Sequence, residues 1–199
     1  MNIQSEFERQ IKIIDWIELN LSCAYDNSEE KTYLAHLCFD LVIEHHSSIC
    51  KLYESSYYGS MFALLRVEFE ALIKGFWLNH VASIESVSKY KQDEVHLGFG
   101  TYIKLVESYL GAKEGALWAI KKQQYDIFSS FTHTGYQALV RRVNDTHIGA
   151  INYKDTDIIA VLKYAGLFSL LAAIELAGMT KNKSLIDSAM KMLRNYSSK

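Results

Sequence analysis

No proline occurs among the 199 residues of this chain. Average usage would supply roughly ten prolines in a chain of this length. Proline removes a backbone donor and clashes with the preceding helical turn, so its absence leaves nothing that obliges a helix to break. Strand-like alternation of apolar and polar residues does not persist for more than a few positions. We therefore predict an all-α protein built from long helices.

Apolar residues recur three and four positions apart along most of the chain, which is typical of helices packed on one face. Residues 83–111, rich in Ser, Lys, Gln and Gly, are expected to form a loop and shorter helices, and residues 145–149 a connection. We expect Asp155 or Thr156 to cap the most apolar helix. The main predicted helices cover about 7–21, 29–54, 60–82, 114–131 (continuing or kinking at 132–135 and going on to 144), 155–178 and 184–195.

Length and composition favour a single domain over residues 1–199. A chain of 199 residues that is 49% hydrophobic can close one sizeable core. We predict an up-and-down helical bundle. In its second helix, the side predicted to face the core is marked by Leu34, Leu37, Leu41, Ser48 and Leu52.

Charge is balanced overall and uneven along the chain. The net charge is −2 and the sequence pI is about 6.4, without the basic excess typical of dedicated nucleic-acid binders. Residues 1–100 hold 8 Lys/Arg against 15 Asp/Glu, and residues 101–199 hold 13 against 8. The first half is acidic and the second half is mildly basic.

The cysteines and the N-terminus indicate a cytoplasmic protein. Cys23, Cys38 and Cys50 are odd in number and lack Cys-x-x-Cys spacing, which favours reduced thiols. The first residues are acidic where a signal peptide needs a basic start. The apolar segment 158–179 is long enough to span a membrane, but it contains Lys163 and Glu175, which favours a buried bundle helix. We expect no membrane association.

A first set of polar residues lies in the apolar run 63–77. Arg66 and Glu70 stand one helical turn apart, and an exposed pair at this spacing contributes only a few tenths of a kcal/mol. The aromatic and aliphatic neighbours predict that the pair is not wholly exposed. It is interpreted either as part of a site or as a half-buried ion pair that fixes packing.

A second set lies in the segment 125–141. Tyr125, Ser129 and His133 share one stripe of a helix, and Gln137 and Arg141 extend that stripe if the segment stays helical. Histidine exchanges protons near neutral pH, and a nearby hydroxyl orients it or bonds a ligand. Alternatively, the histidine caps a kink near Gly135 and is structural.

The two polar sets are predicted to face one another, because burying a charge without a partner costs several kcal/mol. The resulting cleft would hold Arg66 and Glu70 on one helix and Ser129 and His133 on another. A stripe of Ser, His, Gln and Arg facing an Arg/Glu pair suits a ligand that carries phosphate.

The order of these segments resembles uncharacterised bacterial helical proteins at the edge of the HEPN superfamily. The resemblance rests on Leu-Leu-Arg-Val-Glu-Phe-Glu at 64–70 with Gly-Phe-Trp-Leu at 75–78, followed by Ser-Ser-Phe-Thr-His-Thr-Gly at 129–135. It spans roughly residues 33–142. Such proteins are helical bundles, often dimers. Many are metal-independent ribonucleases of toxin and antiviral systems, and others are inactive nucleotide binders.

The ribonuclease signature of that superfamily is an arginine, four to six intervening residues and a histidine on a late helix. Ahead of His133 the corresponding positions hold Phe128, Ile127 and Asp126. The spacing is matched literally by Arg142 with His147, and also by Arg141 with His147. We interpret this second pair either as the functional pair or as exposed residues at a solvated helix end, since so short a pattern often arises by chance.

Metal chemistry is less well supported. A di-iron bundle site wants two Glu-x-x-His elements and two further carboxylates. The sequence offers only a His36, Asp40 and Glu44 face and an Asp93-x-x-His96 element, and the pair His45-His46 is interpreted as a polar helix face. We predict neither a metal nor another cofactor.

Two hypotheses follow from the residues and the resemblance. In the first, the protein is an HEPN-like effector of a bacterial defence or toxin–antitoxin system that acts on RNA or a nucleotide. Its catalytic residues would be His133, Arg66, Glu70 and Ser129, and its substrate-binding residues Tyr125, Gln137, Arg141 and Arg142. In the second, the protein is a non-catalytic module that binds a nucleotide or a protein partner. A homodimer is expected in both.

Overall fold

A computed structural model describes residues 2–21, 29–95, 97–149 and 151–197, and within these ranges the protein is all-α. The only bridge there is an isolated one between Val143 and Ile148, so the predicted fold class is confirmed. The third helix continues as a π-helical turn over Trp77–Val81. The α-helices are α1 Ile3–Asn20, α2 Glu30–Glu54, α3 Tyr58–Phe76, α4 Ile84–Lys91, α5 Phe99–Tyr109, α6 Ala116–Thr132, α7 Tyr136–Val140, α8 Asp155–Met179 and α9 Lys183–Ser197.

The helix ends follow local chemistry. The Asn2 side chain caps α1 by accepting from the Ser5 backbone N–H at 2.8 Å, as is usual for an amide at this position. The predicted cap at Asp155 or Thr156 is wrong. Asp155 is the first helical residue of α8, and Lys154 precedes it without a side-chain cap. Acidic residues in the first turn instead stabilise this helix end, because their negative charge interacts favourably with the positive end of the helix dipole.

Packing of α2, α3 and α8 forms the centre of the core. The rings of Phe69 on α3 and Phe168 on α8 stack at 4.8 Å, and both side chains are fully buried. Gly75 lets α3 approach α2, since an added Cβ would lie 2.6 Å from the ring of Phe39. These contacts hold α3 rigidly, and α3 carries the first polar set.

The buried face of α2 differs from the prediction. Leu37 and Leu41 are 40% and 44% exposed, and Leu34, Ser48 and Leu52 are only half-buried. The helix carries two apolar stripes, and the structure buries the one that contains the large Phe39 ring. That stripe consists of Ala35, Cys38, Phe39, Val42, His46, Ile49 and Cys50.

Helix α8 is the one helix in the described ranges that is long and apolar enough to cross a membrane. Most of its apolar window is buried among the other helices, and Leu162, Ala165 and Phe168 are fully buried. This burial agrees with the predicted bundle helix.

The described cysteines, Cys38 and Cys50, are buried and free. Burial raises the pKa of the two thiols to about 11 and about 12 respectively. Both are therefore protonated at neutral pH, and unreactive as nucleophiles. Cys23 lies outside the described residues.

A buried amide ties four helices together. The Gln10 Oε1 atom on α1 accepts from His46 Nε2 on α2 at 3.1 Å, and the Gln10 amide donates to Glu6 and, at 3.3 Å, to the hydroxyl of Tyr196 on α9. Tyr196 in turn donates to the Lys163 carbonyl of α8 at 2.8 Å. The side chains of Glu6, Gln10 and His46 are fully buried. His46 therefore does not lie on a polar helix face as predicted.

The space beside this amide is kept open by Gly166. A Cβ at that position would collide with Gln10 Oε1 and lie 3.0 Å from the Tyr196 hydroxyl. Gly166→Ala is expected to lower the free energy of unfolding by about 1–3 kcal/mol, because the buried network must shift to admit the methyl group. Urea denaturation followed by far-UV circular dichroism measures this change.

Gly178→Ala is the matched control in the same helix, since nothing lies within 4 Å of its added Cβ. It should leave stability unchanged or raise it by up to about 1 kcal/mol, through helix propensity. Equal effects of the two substitutions would show that the amide network tolerates the methyl group.

Burial of His46 predicts acid sensitivity. Desolvation lowers its pKa from 6.5 to about 3. Between these values the native state binds fewer protons than the unfolded state, so stability is lost as the pH falls below about 6.5. The loss from this group is about 1.4 kcal/mol per pH unit. His46→Gln should remove that part of the pH dependence, measured by urea denaturation between about pH 7 and pH 5.

An exposed histidine provides the control. His147→Gln should retain the acid dependence of the wild type, since its side chain lies at the surface. An unchanged pH slope in His46→Gln would refute the assignment to His46.

Candidate functional site

Four of the predicted site residues meet where α6 packs on α3. Arg66 Nε donates to Glu70 Oε1 at 2.8 Å, and the Tyr125 hydroxyl donates to the same oxygen at 2.6 Å. Arg66 Nη1 lies against His133 Nε2 within hydrogen-bonding distance. The guanidinium carbon is 5.0 Å from the centroid of the Tyr125 ring. The two polar sets therefore face one another, with Tyr125 rather than the predicted Ser129 joining His133 opposite Arg66 and Glu70.

Apolar packing brings the polar groups together. The rings of Phe62 on α3 and Phe131 on α6 lie 4.7 Å apart, and both side chains are buried. The Thr132 hydroxyl also donates to the Ala63 carbonyl at 3.2 Å. With these neighbours fixed, the helical period of 3.6 residues places Arg66 beside the end of α6. The cluster thus lies at the rim of the core.

His133 lies at the end of α6 as its C-cap residue. Thr134 follows with a φ of 54°, a left-handed conformation that breaks the helix. Gly135 donates its N–H to the Ser130 carbonyl at 2.6 Å, and a Cβ there would collide with the Ser130 side chain. The break leaves the His133 side chain exposed to solvent while it contacts Arg66.

The contact between Arg66 and His133 fixes the roles of both groups. A guanidinium has donors only, so His133 Nε2 is the acceptor in this contact. Burial opposes the positive charge of Arg66, but the hydrogen bond and charge of Glu70 outweigh it and raise the pKa of Arg66. Burial and the bond to Glu70 raise the pKa of Tyr125 to about 12. At neutral pH Arg66 is therefore a cation and Tyr125 a neutral phenol.

Ser129 contributes to this cluster through its backbone only. Its carbonyl accepts from the His133 N–H at 3.0 Å. Within the described ranges its hydroxyl makes no hydrogen bond. Its predicted catalytic role stays a prediction.

The stripe predicted to continue through Gln137 and Arg141 does not form, because the helix breaks after Thr132. Both residues instead line a cavity of about 200 Å³ on the opposite side of α6. Arg141 pairs with Asp157 of α8 at 2.8 Å. These two substrate-binding predictions therefore belong to a different surface from Arg66 and His133.

The alternative pair of Arg142 and His147 lies in a tight turn. The Arg142 carbonyl accepts from the Gly149 N–H at 2.6 Å, and His147 Nδ1 contacts the Thr146 hydroxyl at 2.7 Å. Arg142 lines a separate cavity of about 300 Å³ at the start of α3. In the described part of the chain the two side chains do not contact one another, so the literal sequence match does not form a joined pair.

Comparison with known proteins places the chain in a family. A family model, the family of unknown function DUF6988, matches residues 39–199. The chain belongs to this family. The Arg66, Glu70, Tyr125 and His133 cluster falls inside the matched segment, whereas α1 precedes it. No curated protein and no solved structure matches the chain.

In this DUF6988 chain, no group of three His, Cys, Asp or Glu side chains among the described residues is arranged to hold a metal ion. The candidates His36, Asp40 and Glu44 lie on α2 without forming such a group. His96 of the Asp93-x-x-His96 element lies outside the described residues.

Sequence reasoning missed a second polar cluster, formed at the π-helical turn. Glu175 Oε2 of α8 accepts from Asn79 at 2.9 Å and lies 2.7 Å from His80 Nε2. The His80 ring also stacks on Tyr109 at 5.1 Å. The available signal was Glu175 itself, a lone carboxylate in a very apolar helix, which requires a partner.

The half-buried Arg66 and Glu70 pair has an exposed counterpart at the same spacing, Glu85 and Lys89. Glu70→Gln is expected to lower the free energy of unfolding by about 1–3 kcal/mol, because Arg66 and Tyr125 both lose a charged acceptor. Glu85→Gln should leave stability within experimental error, since surface pairs contribute little. Urea denaturation of the two variants and the wild type makes the comparison, and indistinguishable midpoints would show that the cluster does not stabilise the fold.

Proposed function

We propose that the protein performs metal-independent acid–base chemistry on RNA or a nucleotide, with His133 as the group that transfers protons. The observation that carries the proposal is the contact of the exposed His133 ring with the guanidinium of Arg66. An imidazole beside an arginine combines a proton carrier with a phosphate ligand. Neither group needs a metal ion for these roles.

The chemistry divides among the residues of the cluster. Cleavage of RNA needs a base for the 2′-hydroxyl, an acid for the leaving oxygen and a cation for the phosphorane. His133 would move the protons, and Arg66 would hold the phosphate. Glu70, bonded to both Arg66 and Tyr125, would orient the guanidinium.

The resting geometry also sets an order of events. His133 Nε2 accepts from Arg66, so its lone pair is occupied before substrate binds. A phosphate oxygen that took the place of the imidazole on Arg66 would release Nε2 as a base. Binding of the phosphate and activation of His133 would then be a single step, in which the substrate itself frees the catalytic group.

The HEPN-like interpretation gains support from the same contact. Sequence places no arginine four to six residues ahead of His133, but α3 supplies Arg66 to the ring in space. We propose on this basis an HEPN-like effector of a defence or toxin system. The cytoplasmic location, the homodimer and the absence of membrane association stay predictions.

The decisive experiment compares purified wild type with His133→Ala on labelled tRNA and total RNA in the presence of EDTA. Wild type is expected to cleave, and His133→Ala to lose activity by a factor of about 100 or more, as for removal of a general acid or base. Circular dichroism verifies that each variant is folded.

His147→Ala is the matched control, because it removes an exposed histidine from the alternative pair with Arg142. It should cleave as the wild type does. Loss of cleavage in His147→Ala with retention in His133→Ala would move the site to the turn at 142–149. Intact RNA with every protein would refute the nuclease proposal.

A second candidate function is a non-catalytic binding module. The observation in its favour is that the cluster satisfies itself, since Arg66 is held by both Glu70 and His133. A structural cluster predicts that Glu70→Gln loses stability without any activity to lose. A catalytic one predicts a folded Glu70→Gln protein that cleaves more slowly than wild type.

A further inference from the structure

One face of α5 and α6 holds an aromatic ring close to two ammonium groups. Lys104 Nζ lies 4.9 Å and Lys121 Nζ 5.1 Å from the centroid of the Trp118 ring. Trp118 is half-buried and Lys104 is exposed. Among the residues that the structure describes, neither lysine forms an ion pair. In the described part of the chain each ammonium is therefore partnered by the ring rather than by a carboxylate.

The position of Trp118 is fixed by a buried carboxylate. Glu107 of α5 is 2% exposed and accepts from the backbone N–H groups of Gly115 and Trp118, each at 2.9 Å. It thereby caps the start of α6, where a negative charge is favoured. The indole packs on Gly100, at which an added Cβ would lie 3.3 Å from the ring. The ring is held in place before any ligand arrives.

This face continues into the Arg66 and His133 site. Steps of four, three, four and four residues along α6 join Trp118, Lys122, Tyr125, Ser129 and His133, which places them on one stripe. The Tyr125 ring stacks on Phe99 at 4.6 Å, and Phe99 is the neighbour of Gly100 beneath the indole. At 1.5 Å per residue, the stripe from Trp118 to His133 is about 22 Å long.

We propose that this stripe binds single-stranded RNA, with Trp118 as a stacking platform for a base and Lys104 and Lys121 as phosphate contacts. The inference rests on the proposed function and names its substrate as an extended single strand. An unstacked base exposes its face, which a duplex does not, and aromatic rings beside lysines bind such strands without reading sequence. The surplus of basic residues in the second half of the chain is positive, which is the sign that attracts the phosphates of RNA.

A base that stacks on Trp118 displaces an ammonium group from the ring. The displaced lysine stays within reach of the strand, because its stem is flexible, and it meets the phosphate next to the stacked base. A strand anchored here and followed along α6 reaches Arg66 and His133 with another phosphate. The stripe therefore supplies substrate binding at a distance from the proposed chemistry.

Fluorescence anisotropy with a labelled oligouridine of about ten nucleotides tests the inference. This length lies within the roughly 4–16 nucleotides that single-strand-binding domains cover. All proteins carry His133→Ala, so that the probe is not cut. Trp118→Leu is expected to weaken binding about tenfold or more at fixed salt. The double variant Lys104→Gln, Lys121→Gln should reduce the slope of log K against log salt by about 1.4, or 0.7 per lost phosphate contact.

Lys183→Gln, which removes an exposed lysine from α9, is the control and should match the parent protein. Circular dichroism verifies folding, and the double lysine variant tests the surface even if Trp118→Leu does not fold. The inference is overturned if the probe does not bind, if both test variants bind like the parent, or if duplex RNA competes as well as single-stranded RNA.

Two outcomes separate this inference from the proposed function. Binding that depends on Trp118 and the two lysines, in a protein whose wild type cleaves no RNA, leaves the stripe standing and refutes the chemistry at His133. Cleavage that needs His133 but proceeds equally in the variants of the stripe leaves the proposed function standing and refutes the stripe.

Discussion

The side-chain amide of Gln10 is the contact on which the assembly of the helices depends most. It satisfies the His46 Nε2 of α2, the Glu6 carboxyl of its own helix and the Tyr196 hydroxyl of α9 at once. Its approach to α8 is possible only because residue 166 has no side chain. A buried polar group in such a position favours one arrangement of neighbours, because loss of any of these three partners leaves a further buried donor or acceptor unpaired. Apolar contacts alone would tolerate some sliding of α1, and this network does not.

The proposed site likewise depends on the rigid packing of the helices that carry it. Arg66 and Glu70 are carried by α3, which is packed through Phe69 against Phe168 of α8. The opposite half of the site is carried by α6, whose Phe131 packs on Phe62 of α3. The polar groups therefore meet at the edge of a solid core. A guanidinium held in this way needs little reorganisation when charge develops next to it, which is the property that electrostatic catalysis requires.

Sequence predicted the helices well where apolar spacing was regular and no proline intervened, as in α3 and α8. It also predicted the meeting of Arg66 with His133, since each is a polar residue in a run too apolar to be exposed. It failed where the deciding contact is remote. The contacts of Phe39 and His46 with other helices determine which side of α2 is buried. Nothing in the local sequence distinguishes that stripe from the leucine stripe. The break after Thr132 is set by Ser130 and Gly135, whose mutual contact no periodicity reveals.

Glu107 illustrates the same limit. A glutamate in the last turn of α5 looks like a surface residue, but its carboxylate caps α6 by accepting hydrogen bonds from the backbone N–H groups of Gly115 and Trp118. The π-helical turn at Trp77–Val81 was also invisible, because it changes the residues per turn without changing the apolar character of the segment.

That turn bears on how the length of the chain can vary. A π turn holds one residue more than the α turn it replaces, so it is equivalent to a single-residue insertion in α3. Without the extra residue, the chain beyond it would be rotated by about 100°, and His80 would turn away from Glu175. An insertion or deletion there must therefore preserve a contact with a helix 95 residues away. The turn at residues 143–148 is instead closed by hydrogen bonds between residues close in the chain, so a change of length there is expected to act locally.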